Sequence, residues 1–147
     1  MDSTGLPGAV RSAALSTQQR TVYKIATVPC SPGDVLRLTF DSVDQRWRHG
    51  VWLGVEGRLL VAGTESPQIL LWEDTAAPTP EIAVLETSDG LLHLYNVWES
   101  GPAKHRQSQS HTSGMLREEL PGGWRFRCND VGTEPDFSAL VFTLLHA

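Results

Sequence analysis

The chain has few of the features on which enzyme signatures are built. It contains only two cysteines, Cys30 and Cys128, and no Cys/His spacing that suits zinc. It has no glycine-rich phosphate loop, no dinucleotide fingerprint, no HExxH motif and no GxSxG elbow. ATP, NAD, metalloprotease and serine-hydrolase functions therefore have no support, and we expect a protein that works without a metal or an organic cofactor.

Long apolar runs and an excess of basic charge are absent as well. No run is long enough to span a bilayer, and no secretory signal pattern is found. The formal net charge of -5 argues against nucleic acid and against anionic membranes as partners. We expect a cytoplasmic protein whose partner is a small-molecule substrate, and we leave open whether it forms a homodimer.

The length of 147 residues indicates one domain with a core large enough to fold without a disulfide bond or a structural metal ion. Residues 1–19 are small and polar and predict a flexible N-terminal arm, whereas residues 20–147 predict the domain itself. Two cysteines make no disulfide framework, so buried free thiols are favoured. A bridge between Cys30 and Cys128 stays open because both lie at predicted strand ends.

From Thr21 onwards, short runs that alternate apolar and polar residues are separated by turn residues, which is typical of an all-β protein. Three hairpins in series predict antiparallel sheets, and we expect an antiparallel β-sandwich of jelly-roll type with nine or ten strands. The predicted hairpins are 50–55 with 58–62 around Glu56-Gly57, 81–86 with 91–98 around Ser88-Asp89-Gly90, and 115–120 with 124–128 around Pro121-Gly122-Gly123.

Strand alternation also predicts a shared aromatic and cationic face. One arrangement with the aliphatic residues inside places six side chains on the second face of one sheet: Arg37, Thr39, Trp52, His93, Tyr95 and Arg127. Aromatic rings beside cationic donors suit a flat, conjugated or anionic ligand, so Trp52, Tyr95 and Arg127 are predicted to bind substrate. The alternative is a plain solvated face with two exposed rings.

Asn96 and Trp98 share the apolar face of their strand, where a polar residue is unexpected. A polar handle inside a cavity is one interpretation, because an amide side chain both donates and accepts hydrogen bonds. Asn96 is then a catalytic candidate and Trp98 a substrate-binding one, at a pocket mouth. The alternative is a structural Asn96 that ties down a loop backbone.

Two histidines are candidates for proton transfer, because imidazole titrates near neutrality. His111 lies in a loop between Ser110 and Ser113, and His93 lies on a strand, which places it more firmly. No Asp lies beside His111, so a Ser-His-Asp triad is unsupported. His49 and His105 have cationic neighbours and are predicted to be solvated loop residues.

The stretch from Asn129 to Phe137 is rich in the oxygen atoms that calcium prefers as ligands. The run from Asp130 through Asp136-Phe137 to Leu140-Val141-Phe142 faintly resembles the calcium-loop ending of some secreted jelly-roll modules. Ser138 and Ala139 stand where such loops carry further acidic residues, and the spacing is not that of an EF-hand. We therefore expect no metal here, and Asx-type turns with Asp130 and Asp136 on backbone amides are the favoured interpretation.

The last third of the chain resembles small uncharacterised actinobacterial β-proteins. The resemblance lies in Asn96-Val97-Trp98, Ser113-Gly114-Met115, Arg127-Cys128-Asn129-Asp130, Asp136-Phe137 and Leu140-Val141-Phe142. Within that group the chain is similar to small stand-alone polyketide cyclases, which implies dehydration or Michael-type ring closure without a cofactor. No catalytic residue of those cyclases matches a position in this chain.

We therefore expect a cofactor-independent dehydratase or cyclase that acts on a polyketide-like substrate in natural-product biosynthesis. Such an enzyme needs aromatic walls, donors for an enolate and one proton shuttle. The catalytic candidates are His111, His93 and Asn96, and the walls are Trp98, Trp52, Tyr95 and Arg127. The alternative is a non-catalytic, lectin-like or carbohydrate-binding module, which also uses aromatic platforms.

Overall fold

The chain folds as an antiparallel all-β structure. Its computed structural model describes residues 9–11, 21–100, 105–107, 113–130 and 137–147, which form ten strands and no helix. The strands are β1 (Val10–Arg11), β2 (Tyr23–Pro29), β3 (Val35–Val43), β4 (Arg48–Val61), β5 (Thr64–Trp72), β6 (Glu81–Ser100), β7 (His105–Gln107), β8 (Gly114–Leu120), β9 (Gly123–Asn129) and β10 (Leu140–His146). The predicted all-β class and the antiparallel pairing are confirmed.

Six of these strands close into a barrel in the order β2, β8, β9, β10, β3 and β6. Closure runs through β6, because its first residues pair with β3 and its Leu91–Leu94 segment pairs with β2. β4 pairs along most of β6, and β5 pairs with β4 outside the barrel. The sheet therefore differs from the predicted sandwich, because pairings between strands distant in sequence leave no mark in local turn patterns.

Two of the three predicted hairpins are wrong, since the chain does not turn at Glu56-Gly57 or at Ser88-Asp89-Gly90. β4 and β6 each continue through these residues as a single long strand, with irregularities where their register shifts. Gly57 lies at a bulge, with the space for a Cβ atom filled by the backbone of Glu86 on β6. Gly90 has a φ of 73°. Glycine is thus needed for close approach and bending rather than for chain reversal.

The third predicted hairpin is confirmed as β8 and β9, which pair from Gly114 with Asn129 to Leu120 with Gly123. Gly122 has a φ of 80° in the connecting turn. Part of the predicted arm forms strand β1, whose Val10 pairs with Ile25 of β2. Residues 1–8 and 12–20 lie outside the described residues.

The barrel interior is filled by alternate residues of its strands. Fully buried members include Leu36 and Leu38 of β3, Leu92 and Leu94 of β6, and Phe126, whose ring stacks on Phe142 at a centroid distance of 5.0 Å. Cys30 and Cys128 are free and buried, and burial raises the pKa of both thiols. In the described ranges, no helix is long and apolar enough to cross a membrane.

Candidate functional site

The outer face of β4, β5 and β6 carries a groove of about 290 Å³, which we call the aromatic groove. Its described lining residues are Ile25, Trp52, Gly54, Val55, Glu56, Pro67, Gln68, His93 and Tyr95. The groove forms on the outer face because Trp52, His93 and Tyr95 alternate with buried aliphatic residues. Strand alternation in the sequence predicts one face for these three side chains, and the structure brings them together.

Trp52 and Tyr95 form the aromatic wall of this groove. They are direct register partners on β4 and β6, and their rings stack at a centroid distance of 4.8 Å with an interplanar angle of 13°. The indole Nε1 of Trp52 donates a hydrogen bond to Gln68 Oε1 at 3.2 Å. Gln68 Nε2 makes no hydrogen bond to the described residues and remains available as a donor.

His93 lies in the same groove beside a carboxylate. Its Nε2 atom is buried and lies 3.5 Å from Asp89 Oδ2, while 24% of its side chain is exposed. Asp89 is held in place, because its Oδ1 accepts from the backbone N–H of Leu91 at 3.1 Å and from Thr87 Oγ1 at 3.3 Å. Burial acts to raise the pKa of Asp89, but the Leu91 amide and His93 outweigh it and lower that pKa overall.

A second and larger depression of about 590 Å³ lies at one end of the barrel, and we call it the polar groove. Its described lining residues are Val43, Gln45, Arg46, Trp47, Arg48, His49, Glu73, Asp74 and Glu99. They come from the end of β3, from the start of β4 and the segment before it, from the residues after β5, and from the end of β6.

Both arginines of the polar groove are paired with acids and lie over indole rings. Arg48 donates to Asp74 at 2.8 and 3.0 Å and to Glu99 at 3.0 Å, with its guanidinium 4.3 Å from the Trp72 ring centroid. Arg46 donates through Nη2 to Asp130 at 3.1 Å and lies 5.4 Å from the ring centroid of Trp47.

Behind this groove, His49 and Asp130 are buried together. His49 Nε2 lies 3.4 Å from Asp130 Oδ2, and neither side chain is more than 4% exposed. Burial lowers the pKa of His49 to about 4. Burial also raises the pKa of Asp130, although Arg46 opposes that rise. The imidazole is therefore neutral at physiological pH, and Arg46 compensates the charge of the carboxylate.

Asn96 reaches the same end of the barrel from the inner face of β6. It is 2% exposed, and its Nδ2 donates to the backbone carbonyl of Asn129 at 2.8 Å. Asn129 Oδ1 in turn accepts from the backbone N–H of Phe137 at 2.6 Å. The contact matches the structural alternative for Asn96, in which its amide fixes a loop backbone. Trp98 is fully buried on the same face, as the register partner of His49.

Several buried polar atoms at this end have no hydrogen-bond partner among the described residues. They are Trp47 Nε1, Asn129 Nδ2 and both ring nitrogens of His49. Buried polar groups are nearly always hydrogen-bonded, so a group of unsatisfied atoms at one place calls for an explanation. Buried water commonly supplies the partner of such groups.

The remaining predicted site residues lie apart from both grooves. Arg127 is on β9, three strands away from β6 in either direction around the barrel, and pairs with Glu118. Arg37 pairs with Glu81 at 2.9 Å on an exposed surface. His111 lies outside the described residues, and so does Asp136. The catalytic roles predicted for His111, His93 and Asn96 stay predictions.

The prediction that His49 is a solvated loop residue is wrong. His49 belongs to β4 and is buried, because it continues the inward alternation of Val51, Leu53 and Val55 by one more step. The cationic residues Arg46 and Arg48 obscured this periodicity, although it was present in the sequence. Asp130 faces Arg46 and His49, and among the described residues no group of three or more His, Cys, Asp or Glu side chains could hold a metal ion.

Comparison with known proteins identifies no relative of this chain. No protein-family model, no curated protein and no solved structure matches the chain. Function must therefore be argued from the two grooves themselves.

Proposed function

We propose that the aromatic groove binds a small molecule with a planar ring system, and that the protein is a cofactor-independent dehydratase or cyclase for a polyketide-like substrate. The observation that carries this proposal is the parallel stack of Trp52 and Tyr95 in the same groove as the His93–Asp89 pair. The stack supplies flat apolar surface for a conjugated ligand. The histidine supplies a group for proton transfer.

His93 is oriented for such a role by Asp89. The carboxylate is fixed by Leu91 and Thr87 and faces Nε2, so the exposed part of the imidazole is the opposite edge. In a dehydration, the ring nitrogen on that edge takes the proton from the carbon next to a substrate carbonyl, and the substrate becomes an enolate. The imidazolium then returns the proton to the β-hydroxyl, which leaves as water as the double bond forms.

The enolate oxygen needs a hydrogen-bond donor, and Gln68, one of the described lining residues, offers one. Its Oε1 accepts from Trp52, which fixes the amide and leaves Nε2 as the donor. Asn96, a catalytic candidate from the sequence, and Arg127, a predicted wall residue, do not belong to the described lining of the aromatic groove. Loss of one such donor typically slows a reaction by about 10²–10³-fold.

A suitable assay uses the β-hydroxy ketone formed from benzaldehyde and acetone, which loses water to give the conjugated enone benzylideneacetone. We expect the wild type to accelerate the rise in enone absorbance. His93→Gln should slow turnover by roughly 10²–10⁴-fold with little change in binding. Trp52→Leu should mainly weaken binding. His146→Gln is the matched control, because His146 is exposed at the end of β10.

The second candidate function is a non-catalytic carbohydrate-binding module, and the size of the groove favours it. At about 290 Å³ the groove falls just below the roughly 300–1,000 Å³ typical of small-molecule pockets, a size that suits a single ring. Saturable binding of the hydroxy ketone or of a sugar without any conversion would support this candidate. Absence of both binding and conversion would reject the aromatic groove as a site. The cytoplasmic location expected from the sequence stays a prediction.

A further inference from the structure

We propose that the polar groove is a second binding site, and that its ligand is a neutral, hydroxyl-rich molecule such as a sugar. The proposal does not rest on the function proposed for the aromatic groove. Its basis is that several hydrogen-bond donors and acceptors of the polar groove are not used by the ion pairs and hydrogen bonds at this end of the barrel.

Donors and acceptors both remain free in this groove. Arg46 uses only Nη2 in its bond to Asp130, and Arg48 uses Nε and Nη1. Trp47 Nε1 is buried and has no partner in the described ranges. On the acceptor side, Glu73 forms no ion pair or side-chain hydrogen bond with any described residue. A ligand must therefore accept from guanidinium and indole N–H groups and donate to a carboxylate.

Buried polar atoms at this end of the barrel also lack hydrogen-bond partners among the described residues. The His49 side chain is fully buried, and neither of its nitrogens has a hydrogen-bond partner in the part of the chain that is described. Asn129 is 4% exposed, and its Nδ2 is likewise unsatisfied. A buried polar group without a hydrogen bond costs free energy, so binding of a polar ligand, directly or through a bridging water, is favoured here.

Charge and the covered indole faces together favour a neutral ligand over a charged one. The described lining holds two arginines and three carboxylates, which leaves one negative charge in excess and disfavours an anion. A cation finds the indole faces of Trp47 and Trp72 already covered by Arg46 and Arg48. A hydroxyl group both donates and accepts, so a neutral polyol matches every free group. The volume of about 590 Å³ suits one or two sugar rings.

The test uses the indole N–H signals of the ¹⁵N-labelled full-length protein, because each of the five tryptophans gives one signal. Single Trp→Phe variants assign them. Titration with methyl β-glucoside and with cellobiose should shift the Trp47 signal saturably, while the Trp52 and Trp124 signals stay in place. Glucuronate should bind more weakly than the neutral glucoside, because it brings a negative charge to an acidic groove.

Two variants make the result decisive. Glu73→Gln keeps the shape of the side chain, and we expect it to weaken glucoside binding by about tenfold. Gln68→Ala alters only the aromatic groove and should leave the titration of Trp47 unchanged. The proposal is overturned if neither sugar moves the Trp47 signal, if the Trp52 signal moves instead, or if Glu73→Gln binds like the wild type. Should Glu73→Gln fail to fold, Gln45→Ala and Trp47→Phe replace it, with the same expected loss of affinity measured by calorimetry.

Discussion

His49 Nε2 lies 3.4 Å from Asp130 Oδ2 inside the end of the barrel, where both side chains are buried. Burial lowers the pKa of His49 to about 4, and it raises the pKa of Asp130. Two groups whose burial disfavours their charged forms thus face each other across a short distance. Protonation at the polar end of the barrel should therefore affect the stability of the fold.

The stability of the protein should fall on acidification below about pH 6.5. His49 has a pKa of about 4 in the folded chain and 6.5 as its ordinary value, so the unfolded state binds more protons between these two values. The contribution of His49 to stability therefore rises with pH through this window, and the loss of that contribution on going down to pH 4 is about 3 kcal/mol. Urea unfolding followed at several pH values between 4 and 7 measures it.

The variant His49→Gln separates this effect from that of Asp130. The raised pKa of Asp130 gives a slope of the opposite sign, since its folded form holds a proton more firmly than its unfolded form. That slope remains in the variant, so the difference between the two proteins isolates His49. His146→Gln, at an exposed site, should behave like the wild type. Equal slopes in wild type and His49→Gln would contradict the prediction.

Asn96→Ala should destabilise the fold by about 1–3 kcal/mol, whatever it does to activity. The substitution leaves the backbone carbonyl of Asn129 buried without its donor from Asn96, and burial of an unsatisfied group costs about this much. Gln68→Ala is the control, because Gln68 is an exposed amide whose loss should cost less than about 0.5 kcal/mol. If both variants unfold at the same urea concentration, Asn96 does not stabilise the fold through its bond to Asn129.

Alternation within strands was readable from the sequence, because it depends only on neighbouring residues. It placed Trp52, His93 and Tyr95 on one face and Asn96 with Trp98 on the other, as the structure does. The structural role of a glycine could not be predicted from the sequence. The same Gly signal marks the β8–β9 turn, where Gly122 has a φ of 80° and open space around a Cβ, and a bulge within β4, where the backbone of Glu86 packs against Gly57.

Barrel closure and the polar end could not be predicted for a related reason. The pairing of β10 with β3 and of β2 with β6 joins segments far apart in sequence. His49 and Asp130 meet only after this closure, so no local pattern links them. Asp89 and His93 are four residues apart in β6, but a turn predicted at Gly90 assigns them to different elements and so hides their contact.

Gly57→Ala should be far more disruptive than Gly54→Ala. A Cβ atom at Gly57 would collide with the backbone carbonyl of Glu86 on the neighbouring strand, so β4 and β6 must move apart. Overpacking that shifts backbone typically costs about 1–3 kcal/mol. At Gly54 the obstacle is the indole ring of Trp52, an outer-face side chain that can rotate away.

The two glycine variants differ equally clearly in what they do to the aromatic groove. In Gly54→Ala the displaced indole should lose its stack on Tyr95, so the Trp52 N–H signal should shift while thermal stability changes little. Ligand binding to the groove should weaken as well. If Gly54→Ala unfolds at the same temperature as Gly57→Ala, or if its Trp52 signal is unchanged, the indole does not yield to the added methyl group as expected.

The last prediction concerns Arg117, which ties β8 to β2 where regular pairing is sparse. The two strands share a single register pair, Tyr23 with Met115. Arg117 bridges them by donating from Nη1 to the carbonyl of Thr27 at 2.9 Å, and only 6% of its side chain is exposed. Hydrogen bonds from charged groups contribute about 1.5–3 kcal/mol, so Arg117→Met should destabilise the barrel by roughly that amount.

Arg127→Met provides a control with the same change in charge and side-chain volume. Arg127 is 44% exposed and pairs with Glu118, which is 40% exposed, so its ion pair is screened by water. Such surface pairs contribute about 0–1 kcal/mol. Urea unfolding of both variants should therefore show a large loss for Arg117→Met and a small one for Arg127→Met. Equal losses would mean that net charge, rather than the bridge to Thr27, determines the contribution of Arg117 to barrel closure.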